Sequence, residues 1–405
     1  MAHVLPVPEE GDEVRWVASF LGHLVDGEVA ASPSIRGGQS VADAALAGLD
    51  IGGYAARRNE VLPQARRGAT MLSPYIRHGL LTLPEVWAAT AGAAGRDREK
   101  FTDELLWQEY SRHLYARVGR RLADPIRFQP GPPDAAVVDD PWATDLECVR
   151  LAIGELERDG WMVNQTRMWM ASHWTVRHGA DWRKGEDRFF AHLLDGSRAA
   201  NRTGWQWTIG AGTGKRYGFT RWQVEKRAPG LCKTCPHHGD CPIERWPDDV
   251  RLEPVVDDGH LRSVGDPTVA AGPRRPIEFG DADVVWITAE SLGDRDPALE
   301  AHPDVPVVFV FDEPLLARLR LSGKRLVFLA ECLSGLAHRR PLEVRLGDPA
   351  NELADLKLAT TFAPVPGNAW LRDRLEITAL YPWPWLRRPM NGPITSFSAW
   401  RNASN

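Results

Sequence analysis

GWMVNQTRMWMAS (residues 160–172) and DWRKGEDRFFAHLLDGSRAANRTGWQW (residues 181–207) decide how this chain is read. Both segments space their apolar and aromatic residues as helices with a buried face do. Into that apolar frame they set Arg167, Asp195, Asn201 and the indoles of Trp182, Trp205 and Trp207. An Arg and an Asp drawn together inside a protein hold each other's charge, and neighbouring indoles can be oxidised in turn. The combination suits a flat redox ring better than it suits hydrolysis.

The rest of the chain frames this stretch. Its 405 residues predict two domains. With 43% hydrophobic and 25% charged residues it reads as an ordinary globular protein. No apolar run approaches the ~20 residues of a membrane span. The beginning, MAHVLPVPEEGDEV, lacks a basic and apolar export signal, which predicts a soluble, cytoplasmic protein with no membrane partner. A net charge of −5 does not announce a nucleic-acid binder, but a local basic groove suffices for one. Twelve of the seventeen tryptophans precede residue 250, so the aromatic core belongs to the first half.

Residues 1–40 form a lead-in with one apolar helical stretch, VRWVASFLGHLV. From about 41 to 250 the pattern is mostly helical, as in FTDELLWQEYSRHLYARVGRRL, with Phe101, Leu105, Tyr110 and Leu114 at helical spacing. LSPYIRHG and FQPGPPD interrupt it as helix boundaries do. A polar, proline-bearing stretch over 248–278 reads as a linker between residues 1–247 and residues 279–405. In the second half DVVWIT, VPVVFVFD and LEVRLGD read as strands and LSGKRLVFLAECLSGLAHR as a helix, which predicts a parallel α/β sheet.

Five cysteines, in a chain with no export signal in view, argue against a disulfide framework. CKTCPHHGDC (232–241) instead offers Cys232, Cys235 and Cys241 at metal-ligand spacing. With His237 or His238 as a fourth ligand, zinc is the default occupant. Cys332, in an apolar helix, reads as a core thiol.

Taken together, YAARRN (54–59), ATMLSPYIRHG (69–79), DELLWQEY (103–110) and the two opening segments resemble the FAD-binding core of the photolyase/cryptochrome family. The resemblance implies an all-α FAD-binding domain followed by an α/β Rossmann-like domain. Strands and turns such as VVWITAESLGDRDPAL resemble the α/β antenna domain that ordinarily comes first, so it also implies a circular permutation. By position, Tyr54 and Arg58 stand at the cofactor entrance, and Thr70 and Ser73 would cradle the FAD phosphates. Arg167 and Asp195 would form an ion pair against the flavin ring, and Asn201 would face ring N5. Trp205 and Trp182 match members of an electron-carrying tryptophan chain, with Trp142 and Trp174 as candidates for its outer member. Glu104, Trp107, Asn164, Met168 and Trp207 match the pocket that receives a flipped pyrimidine dimer from UV-damaged DNA.

The cysteines resemble those of an iron–sulfur bacterial branch of the family. That implies a 4Fe-4S cluster on Cys148, Cys232, Cys235 and Cys241. The implied activity is light-driven splitting of cyclobutane pyrimidine dimers by reduced FAD; the alternative is a cryptochrome-like blue-light photoreceptor with a signalling partner. A second, antenna chromophore is a further possibility of the resemblance. The chain departs from the family pattern at Gln108, Val163, Gln165 and Ser197.

Overall fold

A computed structural model describes residues 3–93, 95–131, 140–247, 250–255, 259–263 and 266–404. The linker over 248–278 and the FQPGPPD boundary lie partly outside the described residues. Nine strands are described: β1 (Val4–Leu5), β2 (Phe128–Gln129), β3 (Glu253–Pro254), β4 (Ile277–Glu278), β5 (Val284–Ile287), β6 (Val307–Asp312), β7 (Leu342–Gly347), β8 (Leu358–Thr361) and β9 (Ile377–Tyr381). Seven of them form one sheet, in the order β1-β7-β6-β5-β8-β9-β4. The five central strands run parallel, and both edges are closed by antiparallel strands. VVFVFD is apolar almost throughout because β6 is covered on both faces. The order reverses between β5 and β8, and that is where an open parallel sheet leaves a crevice at its carboxyl end.

The helices that position the site are α1 (Glu13–Phe20), α2 (Tyr54–Arg57), α3 (Ser73–Arg77), α4 (Gly95–Val118), α5 (Glu147–Asp159), α6 (Asn164–Ser172), α7 (Trp182–His192), α8 (Arg198–Thr208), α9 (Arg221–Arg227), α10 (Gly323–Ala337) and α11 (Phe397–Ala403). Local chemistry sets several ends. Gly160, at φ 65°, stops α5, and the Asp181 and Ser197 side chains cap α7 and α8.

The lead-in, read with the first half, supplies edge strand β1, and Trp16 of α1 packs on Phe311 of β6 at 5.8 Å. Helix α10 is buried nearly all round, between the sheet and the helical half, which explains its unbroken apolar sequence. One core joins Leu5, Trp16 and Phe101 to the sheet. A second, in the helical half, holds Trp142, Trp169, Trp174, Trp182 and Trp205.

Candidate functional site

Helix α6 carries Arg167, and the turn before α8 carries Asp195. The Arg167 guanidinium donates to Asp195 Oδ2 at 2.8 Å and to the Met162 carbonyl at 3.1 Å. The Asp195 side chain is 6% exposed, so the pair is drawn well out of water. Three further side chains grip the backbone around it. Arg77 donates to the Gly196 carbonyl at 2.9 Å, His78 Nε2 meets the Leu194 carbonyl at 3.0 Å, and Arg325 of α10 reaches Gly196 at 3.2 Å. Asp195 is thereby fixed from both halves of the molecule.

Its second oxygen is left over. Asp195 Oδ1 and Asn201 Nδ2 are both buried and have no hydrogen-bond partner. Such groups are costly to leave bare, and a polar ligand would satisfy an acceptor and a donor of this kind. Asn201 lies one turn before Trp205 on the buried face of α8. Ser197 serves as the N-cap of that helix, accepting from Ala200 N at 3.5 Å.

Thr70 and Ser73 flank Met71, which takes a left-handed φ of 56°. A non-glycine residue in that region marks a turn held by its surroundings. The Ser73 hydroxyl accepts from the Trp161 indole at 3.1 Å and keeps its own hydrogen to donate. Helix α3 spans only five residues, so it adds little dipole to that turn.

Tyr54, Arg58 and Glu104 gather at one place. Asp97 anchors α2 to α4 by accepting from Gly53 N and Ala55 N, each at 2.8 Å. Tyr54 meets Phe101 edge-on at 5.0 Å. Arg58 stands 3.4 Å from Glu104. The Glu104 carboxylate still reaches water, but the crowding of protein around it raises its pKa, with Arg58 opposing. Burial, followed by Glu104, raises that of Tyr54.

The other pocket residues lie on α4, α6 and α8, with α8 packed against both of the others. Asn164 is exposed, and its amide points at Met168 Sδ, 3.7 Å away. Trp207, 36% exposed, leans on Tyr217 at 5.3 Å. Gln165 donates to the Tyr217 hydroxyl at 3.0 Å. Trp107 is half-buried and stacks on Phe397 of α11, at 4.0 Å and 9°.

Trp205 sits 6.4 Å from Trp142, which sits 4.7 Å from Trp174. Of the two candidates for the outer indole, Trp142 therefore adjoins Trp205, and Trp174 adjoins Trp142. Trp182 is buried at the start of α7, beneath the Arg183 guanidinium at 5.2 Å.

Cys148, Cys232, Cys235 and Cys241 line a single recess together with His237 and His238. Burial and the neighbouring cysteines push the Cys148 thiol up to about 12. Burial, then Glu225, does the same to Cys232. Among the described residues no group of three or more His, Cys, Asp or Glu side chains is gathered as a metal-ion shell. His237 pairs with Asp145 at 2.7 Å and His238 Nδ1 meets the Cys232 carbonyl at 2.9 Å, so both imidazoles have protein partners. Cys332 is buried in α10 and accepts from Gly38 N at 3.3 Å, as a core thiol would.

Sequence reasoning missed Arg77, His78 and Arg325. The first two lie inside the quoted SPYIRHG segment, but their targets at Leu194 and Gly196 are more than a hundred residues away.

Residues 147–227 match the FAD binding domain of DNA photolyase. Deoxyribodipyrimidine photo-lyase of Thermus thermophilus is 36% identical over 186 residues, 42% of this chain and 43% of that protein. The Vibrio cholerae enzyme of the same name is 32% identical over 161 residues, 36% of this chain and 34% of that protein. A bacterial class III photolyase from Agrobacterium tumefaciens aligns in structure with a TM-score of 0.37 and 26% identity, covering 50% of this chain and 41% of that one. The sequence matches support the photolyase/cryptochrome family for the matched part of the chain. The chain spans less than half the length of these relatives. No described helix is long and apolar enough to cross a membrane.

Proposed function

We propose that this chain is a light-driven DNA repair flavoprotein that splits cyclobutane pyrimidine dimers and holds FAD in its helical half. One observation carries the reading. The Arg167–Asp195 pair, with Asp195 Oδ1 and Asn201 Nδ2 left bare, lies inside the segment that matches a photolyase FAD binding domain. The edge of an isoalloxazine ring offers both donors and acceptors, which such a pair of groups would satisfy.

Bound and reduced, FAD would lend the dimer an electron on blue-light absorption and would take it back once the dimer bonds have opened. The chain's residues hold and tune. Arg167, fixed by Asp195, would support negative charge on the ring, and the Asn201 amide would donate to the ring edge. Thr70 and the free hydroxyl hydrogen of Ser73 would hold phosphate oxygens, with Tyr54 and Arg58 at the entrance. Glu104, held beside Arg58 at the same place, would hydrogen-bond a flipped base. Asn164 and Met168 line the pocket, and Trp107 and Trp207 supply apolar faces. UV-damaged DNA is the partner, because a distorted base pair costs less to unstack. Trp205 and Trp182, with Trp142 or Trp174 outermost, would carry electrons toward the cofactor. The relatives named deoxyribodipyrimidine photo-lyase favour repair over the photoreceptor alternative.

The four cysteines around one recess support a 4Fe-4S cluster there. Burial raises the pKa of the Cys148, Cys232 and Cys241 thiols; a bound cluster would supply the positive charge that makes thiolates stable, tying residues 231–246 to α5. The two halves stand in reversed order relative to the family, with the parallel sheet second. The crevice lined by Arg112, Glu290, Arg295 and Trp383 is where a second chromophore would bind.

The test is a dimer-containing oligonucleotide mixed with the reduced protein under blue light. Restored thymines in the light, and none in the dark, are expected; no restoration removes the repair reading.

A further inference from the structure

One face of α4 is covered by the end of the chain. Arg401 pairs with Asp103 at 2.6 Å, Phe397 stacks on Trp107, the Tyr110 hydroxyl donates to the Ile394 carbonyl at 3.1 Å, and Arg117 donates to the Gly392 carbonyl at 2.6 Å. Positions 103, 107, 110 and 117 form one stripe of the helix. The Trp400 indole donates to His113 Nδ1 at 2.8 Å and pins α11 in place. Glu104 lies just off that stripe, facing Arg58.

The contact between Trp107 and Phe397 is the flattest of the described aromatic pairs, 9° between planes at 4.0 Å. The ring of Trp107 is otherwise met only edge-on, by Tyr110 at 5.7 Å, among the described aromatic pairs. An indole on a helix surface has two side-chain torsions to fix. Here the plane of one is set by a ring from nearly three hundred residues further along the chain.

We propose that Phe397 is a positioning residue for dimer recognition: by stacking on Trp107 it holds that indole in the plane from which its remaining surface meets the flipped bases. This rests on the reading of Trp107 as a wall of the dimer pocket. The C-terminal helix is then a brace for the substrate site as well as a cover for α4. Phe397 itself touches no substrate, and its effect passes through Trp107.

The measurement is binding of the full-length protein to one oligonucleotide with and without a thymine dimer, read by fluorescence anisotropy. Phe397→Leu keeps apolar volume but removes the planar face. It should weaken dimer binding about five- to tenfold, the worth of a stacked aromatic pair, and leave undamaged DNA within about twofold. Phe397→Tyr should restore dimer binding. Should thermal melting show the Leu variant unfolded, Phe397→Met asks the same question, and the same selective loss is expected of it. A folded Leu or Met variant that keeps the wild-type preference for the dimer, while Trp107→Ala loses it, overturns the proposal and leaves the repair reading standing. Wild-type protein with no preference for the dimer sinks both.

Discussion

Gly185 lies in α7 where Trp205 and Trp174 converge. A Cβ added there would stand 2.3 Å from Trp205 Cη2, 2.9 Å from its Cζ3 and 3.0 Å from Trp174 Cδ2. Carbon atoms prefer about 3.5–4.0 Å, so at least one indole must move by an ångström or more. Neither has room. Trp205 is 2% exposed and is held by Phe189 at 5.3 Å and Trp142 at 6.4 Å, while the Trp174 indole is tied to the Asp181 carbonyl at 2.9 Å. Overpacking of this kind costs about 1–3 kcal/mol. Replacing a helical glycine by alanine returns up to about 1 kcal/mol. Gly185→Ala should therefore be less stable by about 1–2 kcal/mol in urea unfolding followed by circular dichroism. Gly204→Ala is the control. It sits in α8, with nothing within 4 Å of an added Cβ, and should be neutral or stabilised by up to about 1 kcal/mol. Equal stability of the two variants would refute the packing of α7 against Trp205, and with it the position given to that indole.

Other consequences follow from single groups. Arg167→Ala leaves the Asp195 carboxylate buried with neither oxygen paired; it should cost about 3 kcal/mol in urea unfolding and release the flavin. Glu109 is fully buried, and burial pushes its carboxyl up to about 7, against the opposing pull of Arg112 and the Arg387 amide. A carboxyl whose folded pKa is raised is at its best when protonated, so its contribution is intact below about pH 4.5 and is lost as pH climbs through about 7. Unfolding midpoints of the wild type should fall across that window by the equivalent of about 2–3 kcal/mol, while Glu109→Gln stays flatter; parallel curves would contradict it. Cys148→Ser, purified without oxygen, should lose bound iron and acid-labile sulfide together, whereas retention of the full iron content would remove Cys148 from the ligand set.

The sequence made some of this structure readable and hid the rest for physical reasons. VVWI and VVFVFD announced β5 and β6 because a strand covered on both faces is apolar throughout. Edge strand β1 is only Val4–Leu5, too short for any pattern, and exists because β7 is there to pair with it. The spacing of Cys232, Cys235 and Cys241 was legible, but nothing local marked Cys148, which reaches the recess from α5. Arg167 and Asp195 could be coupled only through resemblance, and the structure brings them to 2.8 Å. Arg325 on the Gly196 carbonyl and Phe397 on Trp107 are products of long-range packing between the halves, which periodicity within one helix does not encode.

The central claim is that the helices around Arg167, Asp195 and Asn201 enclose FAD. The absorption spectrum of the protein as purified, followed by identification of whatever pigment denaturation releases, tests it most directly. The account predicts isoalloxazine bands and release of FAD in near-equal amount to the chain. Colourless protein that takes up no FAD when it is supplied would contradict it.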